Sequence, residues 1–299
     1  TRKIIERLTF GVACRKLFLA EKYDVINIHK TYDIPFAMWA RKRTGCRIVW
    51  RSHGPGLFWA ATRLVDKVDA IYAVSRCTSD DVLKNYGVEV PVIHTGVETD
   101  FFRPSGKNII SGVPRLLYFG RLQGFKGIKY LVEALDRVRD LDWEAHIVGD
   151  GAEKDAVESQ IRELGLSDRI HMQAAKRTPA DVRSILDESN IVFFPSSQKD
   201  TFSNAMLEAM SMGRAIVASN TGGFPEAITS GENGILVPHG DPGAIADAIR
   251  KLIDSPELFQ KISGNCRPHI ERHFESRSNF ERVERLMEET ASLPAGAGQ

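Results

Sequence analysis

The chain has 299 residues, 42% hydrophobic and 26% charged, with 24 Gly, 13 Pro and four Cys. At ~100–200 residues per domain this is an ordinary globular chain of about two domains, and collagen-like, disordered and disulfide-scaffold classes are excluded. Lys and Arg total 40 against 39 Asp and Glu, a net charge of +1, and no apolar run approaches the ~18–20 residues that span a bilayer.

The chain opens on a helical pattern, Lys3–Leu19, followed by a strand, Asp24–Ile28, and a helix, Ile34–Arg43. Strands are expected at Arg47–Arg51, Ala70–Val74 and Pro91–His94, with a helix at Ser79–Asn85. The segment Phe102–Pro114 is rich in Pro, Gly and Ser and reads as a linker. Beyond it, strands at Arg115–Phe119, Glu144–Val148, Arg169–Met172, Ile191–Pro195, Ala215–Ala218 and Gly234–Val237 alternate with helices. Those helices are Gly127–Arg139, Lys154–Leu164, Ala180–Asp187, Asn204–Met212 and Pro242–Ile253. Leu131, Leu135 and Val138 have the spacing of a helix that lays one face on a sheet. The unbroken run Ile191–Phe194 suits a strand buried on both faces. A last helix, Ser278–Glu289, precedes a small-residue tail, Pro294–Gln299.

This alternation predicts an α/β protein of two parallel-sheet domains. The boundaries read as 1–108 and 109–277, with a C-terminal helix and tail, 278–299, that can pack back on the first domain. The four cysteines (Cys14, Cys46, Cys77 and Cys266) have neither metal nor redox spacing, so free thiols and a cytoplasmic compartment are expected. Thr1 is preceded by no Met and followed by no signal-peptide pattern, so the chain is expected to begin partway into a longer product.

The near-zero charge is unevenly spread. Residues 1–112 carry 18 basic and 11 acidic side chains (+7), and the remainder 22 and 28 (−6). Arg41-Lys42-Arg43, Arg47 and Arg51 concentrate the excess. Two readings stand: a solvated helix face, or an approach surface for a phosphorylated acceptor or an anionic membrane leaflet. Nucleic acid is set aside, since no recognition motif or aromatic row accompanies the cations.

In open parallel sheets ligands bind beyond the carboxyl ends of the strands. After Arg115–Phe119 comes Gly120-Arg121-Leu122-Gln123-Gly124-Phe125-Lys126-Gly127. Two cations on a glycine-punctuated loop that opens a helix can neutralise a diphosphate, or can be plain surface charges. After Ile191–Pro195 comes Ser196 to Asn204, with Ser203 or Asn204 as N-cap and free amides over Phe202–Ala205. Asp200 and Glu208 flank that anion site, and carboxylates there suit sugar or ribose hydroxyls. After Ala215–Ala218, Thr221-Gly222-Gly223 makes a tight turn and Pro225 opens a helix. In the first domain, His53 of Ser52-His53-Gly54-Pro55-Gly56 stands at a strand end, as a substrate contact or as a structural histidine. No G-x-G-x-x-G, P-loop or H-E-x-x-H pattern is present. Ser196-x-x-Lys199 follows a strand and lacks the companion motifs of a Ser–Lys hydrolase, and Asp140-Leu141-Asp142 reads as a solvated turn.

Gly120-Arg121-Leu122 with Lys126-Gly127, then Gly149-Asp150-Gly151, then Asp200 through Met210, then Gly222-Gly223-Phe224-Pro225-Glu226 strongly resemble glycosyltransferase family 4. Tyr23-Asp24-Val25-Ile26, His53-Gly54, Ala73-Val74-Ser75 and Thr95-Gly96-Val97-Glu98 extend the resemblance into the first domain. It implies a GT-B fold of two Rossmann-like domains, the first lacking its opening strand and glycine-rich loop. It implies a retaining, metal-independent transferase with no cofactor, using a UDP- or GDP-sugar donor. The acceptor would be a sugar, lipid-linked or small-molecule hydroxyl, in polysaccharide, lipopolysaccharide or glycolipid assembly, with peripheral membrane contact compatible. By this resemblance Arg121 and Lys126 hold the diphosphate and Glu208 takes the ribose hydroxyls. Asp200 stands by the donor sugar where the family usually has Glu, and His53 matches a histidine near the same sugar. Gly149, Thr201, Phe202, Ser203, Asn204, Thr221, Gly222 and Gly223 supply the rest of the donor site. A truncated non-catalytic homologue and a nucleotide-sugar epimerase remain alternatives.

Overall fold

A computed structural model describes residues 2–54, 63–176, 178–198 and 200–294. Pro55 and Gly56, Lys199 and the tail beyond Pro294 lie outside the described residues. The chain forms two compact units, Thr1–His94 with Ser278–Gln299, and Thr95–Arg277.

In the first unit three parallel strands, β1 (Val25–Ile28), β2 (Arg47–Ser52) and β3 (Ala70–Ala73), lie in the order β1-β2-β3. Helix α1 (Arg2–Ala20) precedes them, α2 (Ile34–Thr44) connects β1 to β2, and α3 (Arg76–Tyr86) follows β3. Alternate residues of the sheet feed two cores. Ile48 and Trp50 pack with Ile34, Val65 and Val82. Val49 and Tyr72 pack with Ile93 and with Val283 and Leu286 of the last helix, α11 (Ser276–Ala291). Arg282 Nη2 donates to the Val92 carbonyl (2.9 Å) and Arg47 Nη2 to that of Pro294 (2.8 Å). The unit therefore ends at His94, earlier than the 108/109 boundary expected. Pro91–His94 is not a strand: it makes a single bridge, Ala73 to Val92. The basic cluster is partly structural. Arg41 and Arg47 converge on Asp69 at 3.0 and 3.2 Å, and Arg43 stacks on Trp39.

The second unit is built on β4 (Arg115–Phe119), β5 (Glu144–Val148), β6 (Ile170–Gln173), β7 (Ile191–Phe194), β8 (Ala215–Ser219) and β9 (Ile235–Val237). All pairs are parallel and the order is β6-β5-β4-β7-β8-β9. Between them run α4 (Ile128–Arg137), α5 (Lys154–Glu163), α6 (Pro179–Asp187), α7 (Asn204–Ser211) and α8 (Phe224–Ala227), and α9 (Pro242–Asp254) follows β9. Both faces are covered, which is why β7 is apolar without alternation. Leu116, Ile147 and Phe193 face a core with Leu131 and Leu135 of α4 and Ile249 of α9, while Leu117, Val148, Val192 and Ile216 face Leu207 and Met210 of α7.

The sequence pattern missed α10 (Pro256–His273), because Gly264 and Pro268 interrupt it. The helix forms nonetheless: Ser255 caps it, and Phe259, Ile262, Cys266 and Ile270 are buried along one face. Tertiary burial outweighs the helix-breaking propensity of two residues. Nor does the expected linker join two bodies; it is a strap packed within the second unit. Asn108 Nδ2 donates to the carbonyls of Asn190 (2.9 Å) and Gly213 (3.2 Å), and Arg267 Nη1 to that of Phe102 (2.9 Å). Among the described residues, no helix is long and apolar enough to cross a membrane.

Candidate functional site

Strand order reverses between β4 and β7, since β5 and β6 extend one way from that seam and β8 and β9 the other. Such a switch point leaves a crevice at the carboxyl ends of the strands, because the flanking connections leave on opposite faces. The loops after β4, β5, β7 and β8 meet at that edge through backbone-on-backbone contacts that only glycine permits. A Cβ on Gly149 would lie 1.9 Å from the Gly120 carbonyl oxygen, and one on Gly151 would lie 2.2 Å from that of Leu122. At the seam, a Cβ on Gly127 would lie 1.9 Å from the Pro195 oxygen, and Ser197 N donates to the Phe125 carbonyl (2.9 Å).

Lys126 ends a single 3-10 turn, Gly124–Lys126, and Gly127, at φ +69°, turns the chain into α4. This places the Lys126 ammonium across the seam, where it pairs with the Asp200 carboxylate. Ser196 Oγ lies 3.5 Å from the same carboxylate oxygen. Arg121 is exposed, with its guanidinium 5.8 Å from the Phe125 ring centre, and the Lys126 ammonium is 5.4 Å from that ring. The Arg121 main chain is held by Tyr118, whose buried hydroxyl donates to its carbonyl at 2.9 Å. Burial, with Asp200 nearby, pushes the Tyr118 phenol well up, so it stays protonated and remains a donor. Sequence reasoning passed over Tyr118 because it reads as one more apolar strand residue.

Ser203 is the N-cap of α7, its hydroxyl accepting from Met206 N (3.3 Å). The amides of Asn204 and Ala205 have no protein acceptor among the described residues, as expected for a first turn. The amides of the next loop are mostly committed: Thr221 N donates to the Ser219 carbonyl and Gly223 N to that of Asp200, both at 2.8 Å. What that loop supplies is a clamp on Asp200, since a Cβ on Gly222 would lie 1.9 Å from the Asp200 oxygen and one on Gly223 2.2 Å from that of Thr201. Gly149 is similarly committed, its amide donating to the Gln173 carbonyl (3.0 Å).

Glu208 is half-buried in the second turn of α7, and burial raises its carboxyl to about 7. A carboxyl raised above its ordinary 4.5 in the folded state withdraws stability as pH climbs from 4.5 through about 7. Glu208→Gln is therefore expected to be more stable than the parent above pH 7, with the difference vanishing below pH 4.5. Urea midpoints across pH 4–9 check this; a difference independent of pH would refute it.

Beside Arg121 a cavity of about 220 Å³ opens between the β4, β5 and β6 ends and α6, lined by Gly120, Asp150, Ala175 and Val182. Asp150 Oδ2 accepts from Ala175 N (3.0 Å) and so fixes its wall. The loop after β6 was missed, although the rule that picked the other loops applies to it equally.

His53 belongs to the other unit, at the carboxyl end of β2. Its Nε2 is 3.1 Å from Nδ1 of His29, which follows β1, and the rings stack at 5.1 Å. Burial, then Arg51 and His29, hold His53 down at about 4, so the imidazole is neutral at physiological pH. Among the described residues, no group of three or more His, Cys, Asp and Glu side chains could hold a metal ion.

Residues 1–101 match the family described as Glycosyltransferase Family 4, and residues 113–255 the family described as Glycosyl transferases group 1. The chain is 28% identical over 279 residues to a D-inositol 3-phosphate glycosyltransferase of Corynebacterium diphtheriae, covering 81% of this chain and 65% of that one. It is 32% identical over 157 residues to an alpha-D-kanosaminyltransferase of Streptomyces kanamyceticus, covering 52% and 40%. It therefore spans about two thirds or less of these relatives' length. The fold is similar to a glycosyltransferase from Rickettsia africae (TM-score 0.83, 20% identity, 96% and 81% covered). It is also similar to Anabaena HepE in complex with UDP and glucose (TM-score 0.82, 22% identity, 93% and 81% covered).

Proposed function

The chain belongs to glycosyltransferase family 4 and has its GT-B fold, and from that premise we propose that it transfers a sugar from a UDP- or GDP-sugar to a hydroxyl acceptor with retention of configuration. The observation that carries this is the seam between β4 and β7, where Lys126 meets Asp200, Arg121 and Lys126 share the Phe125 ring, and the first turn of α7 is open. A diphosphate there faces two cations and the amides of Asn204 and Ala205, a helix N-terminus suited to anions. Glu208, one turn in, is placed to accept from the two vicinal hydroxyls of a ribose. The cavity beside Arg121 suits a planar base. Asp200 lies within reach of the donor sugar and holds the Lys126 ammonium in place.

In this reading the chemistry needs no metal. Arg121 and Lys126 neutralise the charge that builds on the departing diphosphate, which is where fixed positive charge lowers a barrier most. The departing phosphate oxygen takes the acceptor proton as the new glycosidic bond forms on the same face. The acceptor is a sugar, lipid-linked or small-molecule hydroxyl, with a role in polysaccharide or glycolipid assembly.

Calorimetry with UDP and GDP tests the donor site: one of them binds, and Lys126→Ala abolishes or strongly weakens it. Binding of neither nucleotide by folded protein would sink the reading. Glu208→Ala should weaken nucleotide binding by ~1–3 kcal/mol, the scale of a lost hydrogen bond to a charged group. Asp200→Ala should lower turnover more than nucleotide affinity, because its partner is the transferring sugar rather than the nucleotide. Steady-state kinetics beside calorimetry separate the two, and unchanged turnover would remove Asp200 from the mechanism.

A further inference from the structure

A second cavity, about 530 Å³, lies at the opposite edge of the six-stranded sheet. Its walls are the strap 103–108, the turn Met212–Arg214 that leads into β8, and one face of α10. The turn stands one strand length, ~15 Å, from the carboxyl-end loops, so the cavity is separate from the donor site. Its size falls in the ~300–1,000 Å³ range of small-molecule sites.

Its lining is cationic. Arg103, Lys107, Arg214 and Arg267 face it, and no Asp or Glu lines it. Arg267 pairs with Glu271 at 2.8 Å and braces the strap through the Phe102 and Thr99 carbonyls. Arg103 and Lys107 are exposed and make no hydrogen bond or ion pair among the described residues. Arg214 is 3% exposed, and its donors reach only the carbonyls of Met212 (2.7 Å), Asp187 (3.3 Å) and Ser189 (2.8 Å). No ion pair neutralises it among the described residues, and burial lowers it to about 10. The Asp187 carboxylate attracts it without pairing directly, and a buried guanidinium that lacks a direct carboxylate partner is costly. Opening it onto a cavity shared with three further cations makes that cavity a place where a multiply charged anion gains energy.

We propose that this cavity is a binding site for a phosphate monoester, seated between Arg103, Lys107 and Arg214 and independent of the donor nucleotide. A singly charged carboxylate would leave most of the positive charge uncompensated, whereas a phosphate dianion offers three acceptor oxygens to converging donors. The site is also mechanically linked to the donor edge. α7 runs from its N-cap Ser203 at the donor edge to its C-cap Met212 at the cavity, and β8, which follows Arg214, runs back toward the Gly222 loop.

The test is calorimetry with glycerol 3-phosphate, with glycerol as the uncharged control, and co-sedimentation with phosphatidic acid against phosphatidylcholine vesicles. The two arms separate a soluble ester from a lipid headgroup of the same chemistry. Arg103→Gln/Lys107→Gln should weaken binding about tenfold or more in whichever arm is positive. Gly264 lines the cavity on α10, and a Cβ there meets nothing within 4 Å. Gly264→Leu should fill the space and abolish binding. Lys126→Ala should leave binding within about twofold. Because Arg103 and Lys107 hold no structural contact, their double variant should fold with the parent's circular dichroism spectrum and melting midpoint. Monoester binding that survives the double variant, or glycerol binding as tight as its phosphate, would overturn the assignment; so would the absence of binding in both arms.

Discussion

Lys126→Ala is expected to lower turnover by about 10²–10³-fold, the scale for removing one fixed group that stabilises charge in a transition state. The loss has two parts. The ammonium no longer meets the departing diphosphate. In addition, the Asp200 carboxylate, whose side chain is only 14% exposed, loses its partner and faces the incoming phosphates as an uncompensated negative charge. The second part can be removed separately. Lys126→Ala/Asp200→Asn should recover nucleotide affinity relative to the single variant, yet not recover turnover. Nucleotide calorimetry and kcat/KM on the two proteins decide it. A single variant within threefold of the parent in kcat/KM would show that Lys126 does not stand at the diphosphate.

Gly222→Ala is expected to destabilise the protein by about 3 kcal/mol or more, at the upper end for single substitutions. Gly222 has φ +60°, and an added Cβ would sit 1.9 Å from the Asp200 oxygen and 2.7 Å from its nitrogen. The loop must separate, breaking the hydrogen bond from Gly223 N to the Asp200 carbonyl. Gly165 is the control: at φ +66°, a Cβ there meets nothing within 4 Å. Gly165→Ala should cost only the ~1–2 kcal/mol of a left-handed L-residue. Equal losses in urea unfolding would mean that the close approach at Asp200 adds nothing. The Gly222 variant should also lose turnover, because the displaced residue is Asp200.

The periodicity of α4 was legible because its environment is simple. Leu131, Leu135 and Val138 are at most 2% exposed and face one sheet. β7 was legible for the complementary reason, since a strand covered on both faces has no polar side to show. The misreadings have one cause. Gly264 and Pro268 mark α10 as broken when taken locally, and the Pro, Gly and Ser of residues 102–114 mark a linker. Each is overruled by contacts more than 80 residues away in sequence, among them Arg267 on the Phe102 carbonyl and Asn108 on the Asn190 carbonyl. Pro91–His94 errs the other way, its apolar content suggesting a strand where the ladder stops after one bridge.

The residue types of the proposed donor site follow from sequence alone: a cation pair after β4, carboxylates eight apart after β7, and a Gly-Gly turn after β8. So does their common edge, because parallel strands send every such loop the same way. The tertiary structure decided which of these groups touch. The strand reversal between β4 and β7 set Lys126 against Asp200, and the glycine approaches turned four loops into one braced rim. It also committed the Thr221 and Gly223 amides internally, gathered the cations at the far edge of the sheet, and raised Glu208 by burial. Residue chemistry and local period are properties of short segments, and a sequence states them directly. Desolvation, charge pairing and steric contact depend on which segments are brought together, and only the packed chain specifies that.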